Sequence, residues 1–290
     1  NMSQSSNDVI PTAINISCHC DLEHLLLPAL QDLIKAIGNK AKRLEGVTKT
    51  GRTHLMDAMP IKMDQELNAW KSQLESSQES LLVVTDKLLF LPQGGTAVGT
   101  GINAHPSFSK EFAKEVSKLG KTKAKPSNNF FHSLSAQDTS LQVSGELRNL
   151  ATILMKISTD LRWMNSGPLT GLGEIELKAL QPGSSIMPGK VNPVIPESVS
   201  MVCADVIGND VTVAIAAQSG NFQLNVMLPV IAYNLLKSIN ILSNAMDVLG
   251  GKAIKTFKIN KKNIQEFLEK NPVLVTSLNP IIGYSKATEI

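Results

Sequence analysis

The chain has 290 residues, of which 42% are apolar and 18% charged, with a formal net charge of +3. That is the profile of a globular protein with one large or two ordinary domains, and the charge excess argues for neither nucleic acid nor a membrane surface as partner. Eight Phe, two Tyr and two Trp leave the core to Leu, Ile, Val, Met and Ala, which suits helix-on-helix packing and predicts an all-α class.

Taken in chain order, a polar loop over residues 1–11 precedes a helix expected from Thr12 to Ile37. Cys18, His19, Cys20 and His24 lie on it, but residues i and i+2 of a helix point apart, so they are assigned to packing and not to a metal. Cys203 is the third cysteine; none has the paired spacing of a zinc ribbon or an iron–sulfur cluster, so reducing conditions and no metal are expected. Residues 48–60 read as a second loop, followed by a helix from Asp64 to Phe90 with Asp64 as N-cap. Gly94-Gly95-Thr96-Ala97-Val98-Gly99-Thr100-Gly101 lacks the Gly-Lys-Ser/Thr ending of a phosphate loop and follows no predicted strand, so it reads as close backbone packing. Lys121, Lys123 and Lys125 form a solvated basic loop.

The strongest period lies between His132 and Asn165. Leu147, Leu150, Leu154, Ile157, Leu161 and Met164 recur at spacings of three and four, which predicts a long amphipathic helix ending at Gly167-Pro168. A loop over 167–193 leads to a helix from about Pro193 to Ala217, apolar on more than one face although Asp205, Asn209 and Asp210 interrupt it. Such a helix needs other helices around it, in its own chain or in partner chains. A stripe through Leu224, Leu228, Ile231, Leu235, Ile239, Leu242, Met246 and Leu249 predicts another, ending at Gly250-Gly251. Asn225, Pro229, Asn234 and Lys237 break its hydropathy, so it does not read as a membrane span. Helices of ~25 residues are ~38 Å long, more than one compact domain needs, and suggest a bundle completed by oligomerisation. Charge density rises after Gly251, and a boundary is placed near Lys261: residues 1–261 as a central helical-bundle domain, 262–290 as the start of a truncated C-terminal domain.

The most distinctive string is Gly183-Ser184-Ser185-Ile186-Met187-Pro188-Gly189-Lys190-Val191-Asn192-Pro193. Its glycines and prolines permit irregular backbone, and Pro193 suits the first position of the next helix. Lys190, Asn192 and that helix's positive end would then converge where an anion could sit, beside two hydroxyls. Composition alone also fits a flexible linker before a capped helix. Singly, Ser5, Ser6 and Asn7 could be helix caps, His54 a structural histidine and Glu197 a dipole partner.

This string resembles the signature of the fumarase and aspartase superfamily. The resemblance extends over essentially the whole chain, to Met2-Ser3-Gln4-Ser5-Ser6-Asn7-Asp8, to Gly51-Arg52-Thr53-His54-Leu55-Met56-Asp57-Ala58 and to the glycine-rich segment at Gly94. His54, Gly189 and Gly220-Asn221-Phe222-Gln223-Leu224-Asn225 are similar to class II fumarases, whereas Val194-Ile195-Pro196-Glu197 is nearer the aspartase form.

The resemblance implies a long-helix bundle completed as a tetrameric core. It implies reversible hydration of fumarate to L-malate by anti addition of water through an aci-carboxylate, without metal or cofactor. Carried over residue by residue, Ser184 is the base, His54 the relay for the proton of water, and Glu197 the carboxylate orienting it. Ser5, Ser6, Asn7, Thr53, Ser185, Lys190 and Asn192 bind the substrate carboxylates, and each site draws on three subunits. It further implies an N-terminal domain absent from this chain and a cytoplasmic location, mitochondrial in a eukaryote. The alternatives are an aspartate ammonia-lyase or a non-catalytic structural relative.

Overall fold

A computed structural model describes residues 2–289, apart from the side chains of Ser277, Leu278 and Glu289. Helix α1 (Ser6–Asp21) begins six residues before the expected Thr12, because Ser5 is its N-cap. The helix continues through a π-helical stretch, Leu22–Leu26, into α2 (Leu27–Arg43). Pro28 has no N–H and its ring would press on the carbonyl of His24. One widened turn, in which the Leu27 N–H donates to the Leu22 carbonyl, lets the helix pass it.

The expected loop at 48–60 is instead an antiparallel hairpin of β1 (Thr48–Thr53) and β2 (Met56–Lys62). It escapes notice in the sequence because its two-residue turn is His54-Leu55, without the Gly or Asn that marks such turns. Helix α3 (Met63–Lys87) starts one residue before Asp64, so Asp64 is not its cap; the Gln65 side chain accepts from the Lys62 N–H at 2.9 Å. The short β3 (Phe90–Leu91) pairs in parallel with β4 (Lys125–Pro126), and α4 (Phe108–Gly120) lies between them in sequence.

Helices α5 (Phe130–Ser135) and α6 (Asp138–Met164) fill the strongly periodic region, and β5 (Ile175–Glu176) follows. All six predicted stripe residues of α6 are buried, and Gly167 has a positive φ of 112°, which only glycine adopts freely. Helix α7 (Val194–Ala217) falls where expected. The next stripe starts late: Leu224 lies in a hairpin of β6 (Gly220–Asn221) and β7 (Leu224–Asn225), and α8 spans Leu228–Val248. Gly250-Gly251 does not end it, since the chain winds on as a π-helical stretch, Leu249–Ile254. Strand β8 (Lys258–Ile259) pairs with β5, α9 (Lys261–Lys270) follows, and short helical segments lead to Glu289. The fold is all-α in the sense predicted, with strands only in two-stranded pairs among the described residues.

Two compact units divide the chain. The first comprises residues up to Gln31, Leu74–Met155 and Val199–Asp247. Leu147, Leu150 and Leu154 of α6 and Ile231, Leu235, Ile239 and Leu242 of α8 are buried there. Buried polar groups between its helices are paired: Asp210 accepts from Ser144 at 2.7 Å and Arg148 at 2.8 Å, and Asn209 donates to Ser238 at 3.1 Å. The second comprises Asp32–Gln73, Lys156–Ser198 and the residues from Val248 on, with Leu67 and Trp70 of α3, Ile157 and Leu161 of α6 and Ile254 fully buried.

Helix α7 is long and apolar enough to cross a membrane by composition, with a mean hydropathy of 1.5 over its most apolar stretch. Its hydrogen-bonded Asn209 and ion-paired Asp210 are those of a bundle helix. Met201, Val211 and Ile215 nevertheless leave 71%, 56% and 54% of their surface open.

Candidate active site

The first unit carries Ser5, Ser6 and Asn7. The Ser5 hydroxyl accepts the Asn7 N–H at 3.2 Å and so acts as a helix cap. The Asn7 amide donates to the Ala97 carbonyl at 2.7 Å. Sequence inspection missed Asp8, whose carboxylate is fully buried and organises this region. It accepts from the Ser5 N–H at 2.9 Å, the Gln93 amide at 2.9 Å, the Gly94 N–H at 2.9 Å and the Thr96 N–H at 3.0 Å. The glycine-rich segment is the close backbone packing expected of it: a Cβ on Gly94 would lie 2.5 Å from the Ser109 Cβ, and one on Gly99 2.9 Å from the Phe131 ring.

The second unit carries the other candidates. Thr53 and His54 form the exposed end of the β1–β2 hairpin, where His54 and Leu55 have positive φ of 54° and 61°. For a two-residue turn this matches the right-handed twist of the strands, but for two non-glycine residues it costs roughly 1–2 kcal/mol each. The base of the hairpin is correspondingly well held. Lys49 lies 2.7 Å from Glu174 and 2.9 Å from Glu66, Arg52 donates to the other Glu174 oxygen, and the Asn271 amide donates to the Ala58 carbonyl at 2.9 Å.

The loop from Gly183 to Pro193 is closed at its neck. The Gly183 N–H donates to the Lys190 carbonyl at 2.8 Å and the Asn192 amide to the Gly183 carbonyl at 3.0 Å. A side chain on Gly183 would meet the Lys190 carbonyl at 2.7 Å. Inside the loop, the Ser184 Oγ accepts backbone N–H groups from Ile186 at 3.2 Å and Met187 at 3.1 Å. Both donors are local, two and three residues on, so the hydroxyl closes a serine turn with its oxygen facing backbone N–H dipoles. Ser185 and Lys190 are exposed.

Pro193 stands one residue before α7, and its carbonyl accepts the Glu197 N–H at 3.1 Å, placing Glu197 in the first turn. Lys190, Asn192 and Glu197 line one cleft of about 410 Å³ with Thr159, Arg162 and Trp163 from the end of α6. The α6 residues lie off the buried stripe that marks this helix in the sequence, and nothing in their spacing singles them out. Thr53, His54 and Ser184 do not line this cleft.

Burial pushes the thiols of Cys18 and Cys203 up to about 12, for Cys18 with added repulsion from Asp21, so both behave as small apolar groups. Cys20, His24 and the loop lysines Lys121, Lys123 and Lys125 border a separate groove of about 800 Å³ in the first unit.

A family model described as lyase matches residues 1–208. A protein named fumarate hydratase class II 2 from Pseudomonas aeruginosa is 56% identical over all 290 residues, and fumarate hydratase class II from Bacillus subtilis is 46% identical over the same span. The chain covers 63% of each of these proteins. A crystal structure of class II fumarase from Schistosoma mansoni superposes with a TM-score of 0.98 at 38% identity, over 100% of this chain and 64% of that one. A fumarate lyase:delta crystallin from Brucella melitensis, bound to cobalt, gives 0.95 at 42% identity, over 100% of this chain and 63% of that one. With the lyase model spanning more than half of the chain, and the whole chain superposing on a class II fumarase at 38% identity, this chain belongs to the lyase family of the fumarase and aspartase superfamily.

Proposed function

We propose that the protein to which this chain belongs is a class II fumarate hydratase, interconverting fumarate and L-malate without metal or cofactor. The observation that carries this is the Ser184 oxygen receiving two backbone N–H groups in a loop whose neck is tied to Lys190 and Asn192. The C–H proton beside a carboxylate is very weakly acidic, and only a base stronger than neutral serine removes it. In the malate-to-fumarate direction Ser184, held as the alkoxide by those dipoles, takes the proton. The electron pair moves into the neighbouring carboxylate to give an aci-carboxylate. Lys190 supplies positive charge for it, and the Asn192 amide and the start of α7 supply N–H dipoles. The pair then returns to form the double bond, the hydroxyl departs from the adjacent carbon, and His54 protonates it to water, with Glu197 stabilising the imidazolium. Ser5, Ser6, Asn7, Thr53 and Ser185 hold the two carboxylates.

The exposed apolar residues of α7 support a tetramer whose core buries them, and active sites drawn from three subunits would supply the side chains that line no common cleft here. A central bundle to Lys261 followed by the start of a C-terminal domain, and a cytoplasmic or mitochondrial location, belong to the same proposal. The test is ultraviolet absorbance on mixing the full-length protein separately with malate and with aspartate. Fumarate formed from malate is the expected result. Fumarate from aspartate alone makes the protein an ammonia-lyase, and none from either makes it a structural relative.

A further inference from the structure

We propose that Glu174 is a positioning residue for His54, acting through Lys49 and Arg52; this rests on the hydratase proposal in that His54 is the group positioned. Lys49 and Arg52 are three residues apart on β1, so in a regular strand they would face opposite sides. The register shifts between Thr50 and Arg52, and that bulge returns both cations to one side. Gly51 permits it, since a Cβ there would lie 2.5 Å from the Met59 carbonyl oxygen. Both cations meet on one carboxylate: Lys49 lies 2.7 Å from one Glu174 oxygen and Arg52 donates to the other.

Glu174 is itself buried and held on both sides by backbone hydrogen bonds. Its side chain is 2% exposed, its N–H donates to the Met164 carbonyl at 2.8 Å, and its carbonyl accepts from the Asn260 N–H at 2.8 Å. Arg52 pairs across the hairpin with Asp57 and begins the last stretch before the left-handed His54-Leu55 turn. A slip of one residue in this register would turn every following side chain to the other face. The buried carboxylate thus selects the bulged register in which His54 stands at the tip, and the same residue lies nine positions before Gly183, where the Ser184 loop begins.

The experiment is a double-mutant cycle in the full-length protein, with Glu174→Gln, His54→Asn and the pair together, and with Glu174→Asp as the conservative variant. Glu174→Gln is expected to lower kcat at least tenfold with KM within twofold, Glu174→Asp to recover part of the loss, and Glu174→Gln to add nothing once His54 is Asn. Unchanged kcat in Glu174→Gln, or an equal further loss in the His54→Asn background, overturns the proposal. If Glu174→Gln does not fold, Arg52→Gln takes its place in the cycle with the same expected and overturning results. Normal turnover in His54→Asn alone would instead break the hydratase mechanism.

Discussion

The β1–β2 hairpin and the Gly183–Pro193 loop both belong to the second compact unit and both carry candidate catalytic groups, yet they are held in opposite ways. The hairpin has a strained tip on a braced base: two left-handed residues stand above a bulge, a buried carboxylate and two cations. The loop has a braced neck and an open body, with Ile186 and Met187 leaving 83% and 48% of their surface uncovered. On the proposed mechanism the His54 imidazole meets a departing hydroxyl, and a preset position serves that role because misplacement lowers the rate steeply. On the proposed mechanism the loop admits a dicarboxylate, and few internal contacts keep the free energy of its local opening small.

The largest effect that can break this contrast is chemical. Ser184→Ala in the full-length protein should lower turnover by roughly 10²–10⁴-fold, the usual range for a lost acid–base group, with no change in elution volume on a sizing column. Near-normal turnover would remove Ser184 as the base and leave its two N–H bonds as an ordinary local turn. Next comes stability. Gly51→Ala should destabilise by about 3 kcal/mol in denaturant titration, because its Cβ would meet the Met59 carbonyl oxygen. Gly189→Ala, at φ 79° but with nothing within 4 Å, should cost only about 1 kcal/mol. Equal losses at the two glycines would mean that the hairpin is no more tightly built than the loop.

The smallest effect concerns opening. Trypsin should cut after Lys190 at least about tenfold faster than after Arg52, since proteolysis follows the population of locally opened chain and Arg52 lies in a paired strand with its side chain on Glu174. Peptide mass mapping of a short digest reads the ratio. Faster cleavage at Arg52 would reverse the assignment of the rigid and the open element.

Periodicity found the long helices because burial of one face is a local, repeating demand. The α6 stripe from Leu147 to Met164 and the α8 stripe from Leu228 to Leu249 are buried residue for residue. It erred where a turn broke local rules. His54-Leu55 hides a hairpin, and Leu224 belongs to a strand although its spacing fits the stripe. The candidate site was legible only as a set of motifs, and Asp8 and Glu174 were not legible at all. A carboxylate that is buried and partnered by distant N–H groups or cations looks in the sequence like any other acidic residue near a helix or a turn.

The sequence by itself determined the helical class, the positions of the main stripes and the string of residues that marks the superfamily, because these depend on neighbours within a few positions along the chain. Only the tertiary structure decided that Glu174 pairs with Lys49 and Arg52 beneath the His54 turn, that Asp8 ties the Ser5–Asn7 segment to Gly94 and Thr96, and that Lys190, Asn192 and Glu197 share a cleft with the end of α6. Those arrangements rest on hydrogen bonds and ion pairs between residues tens of positions apart, whose strength is set by exclusion of water, and burial of that kind exists only once the chain has folded.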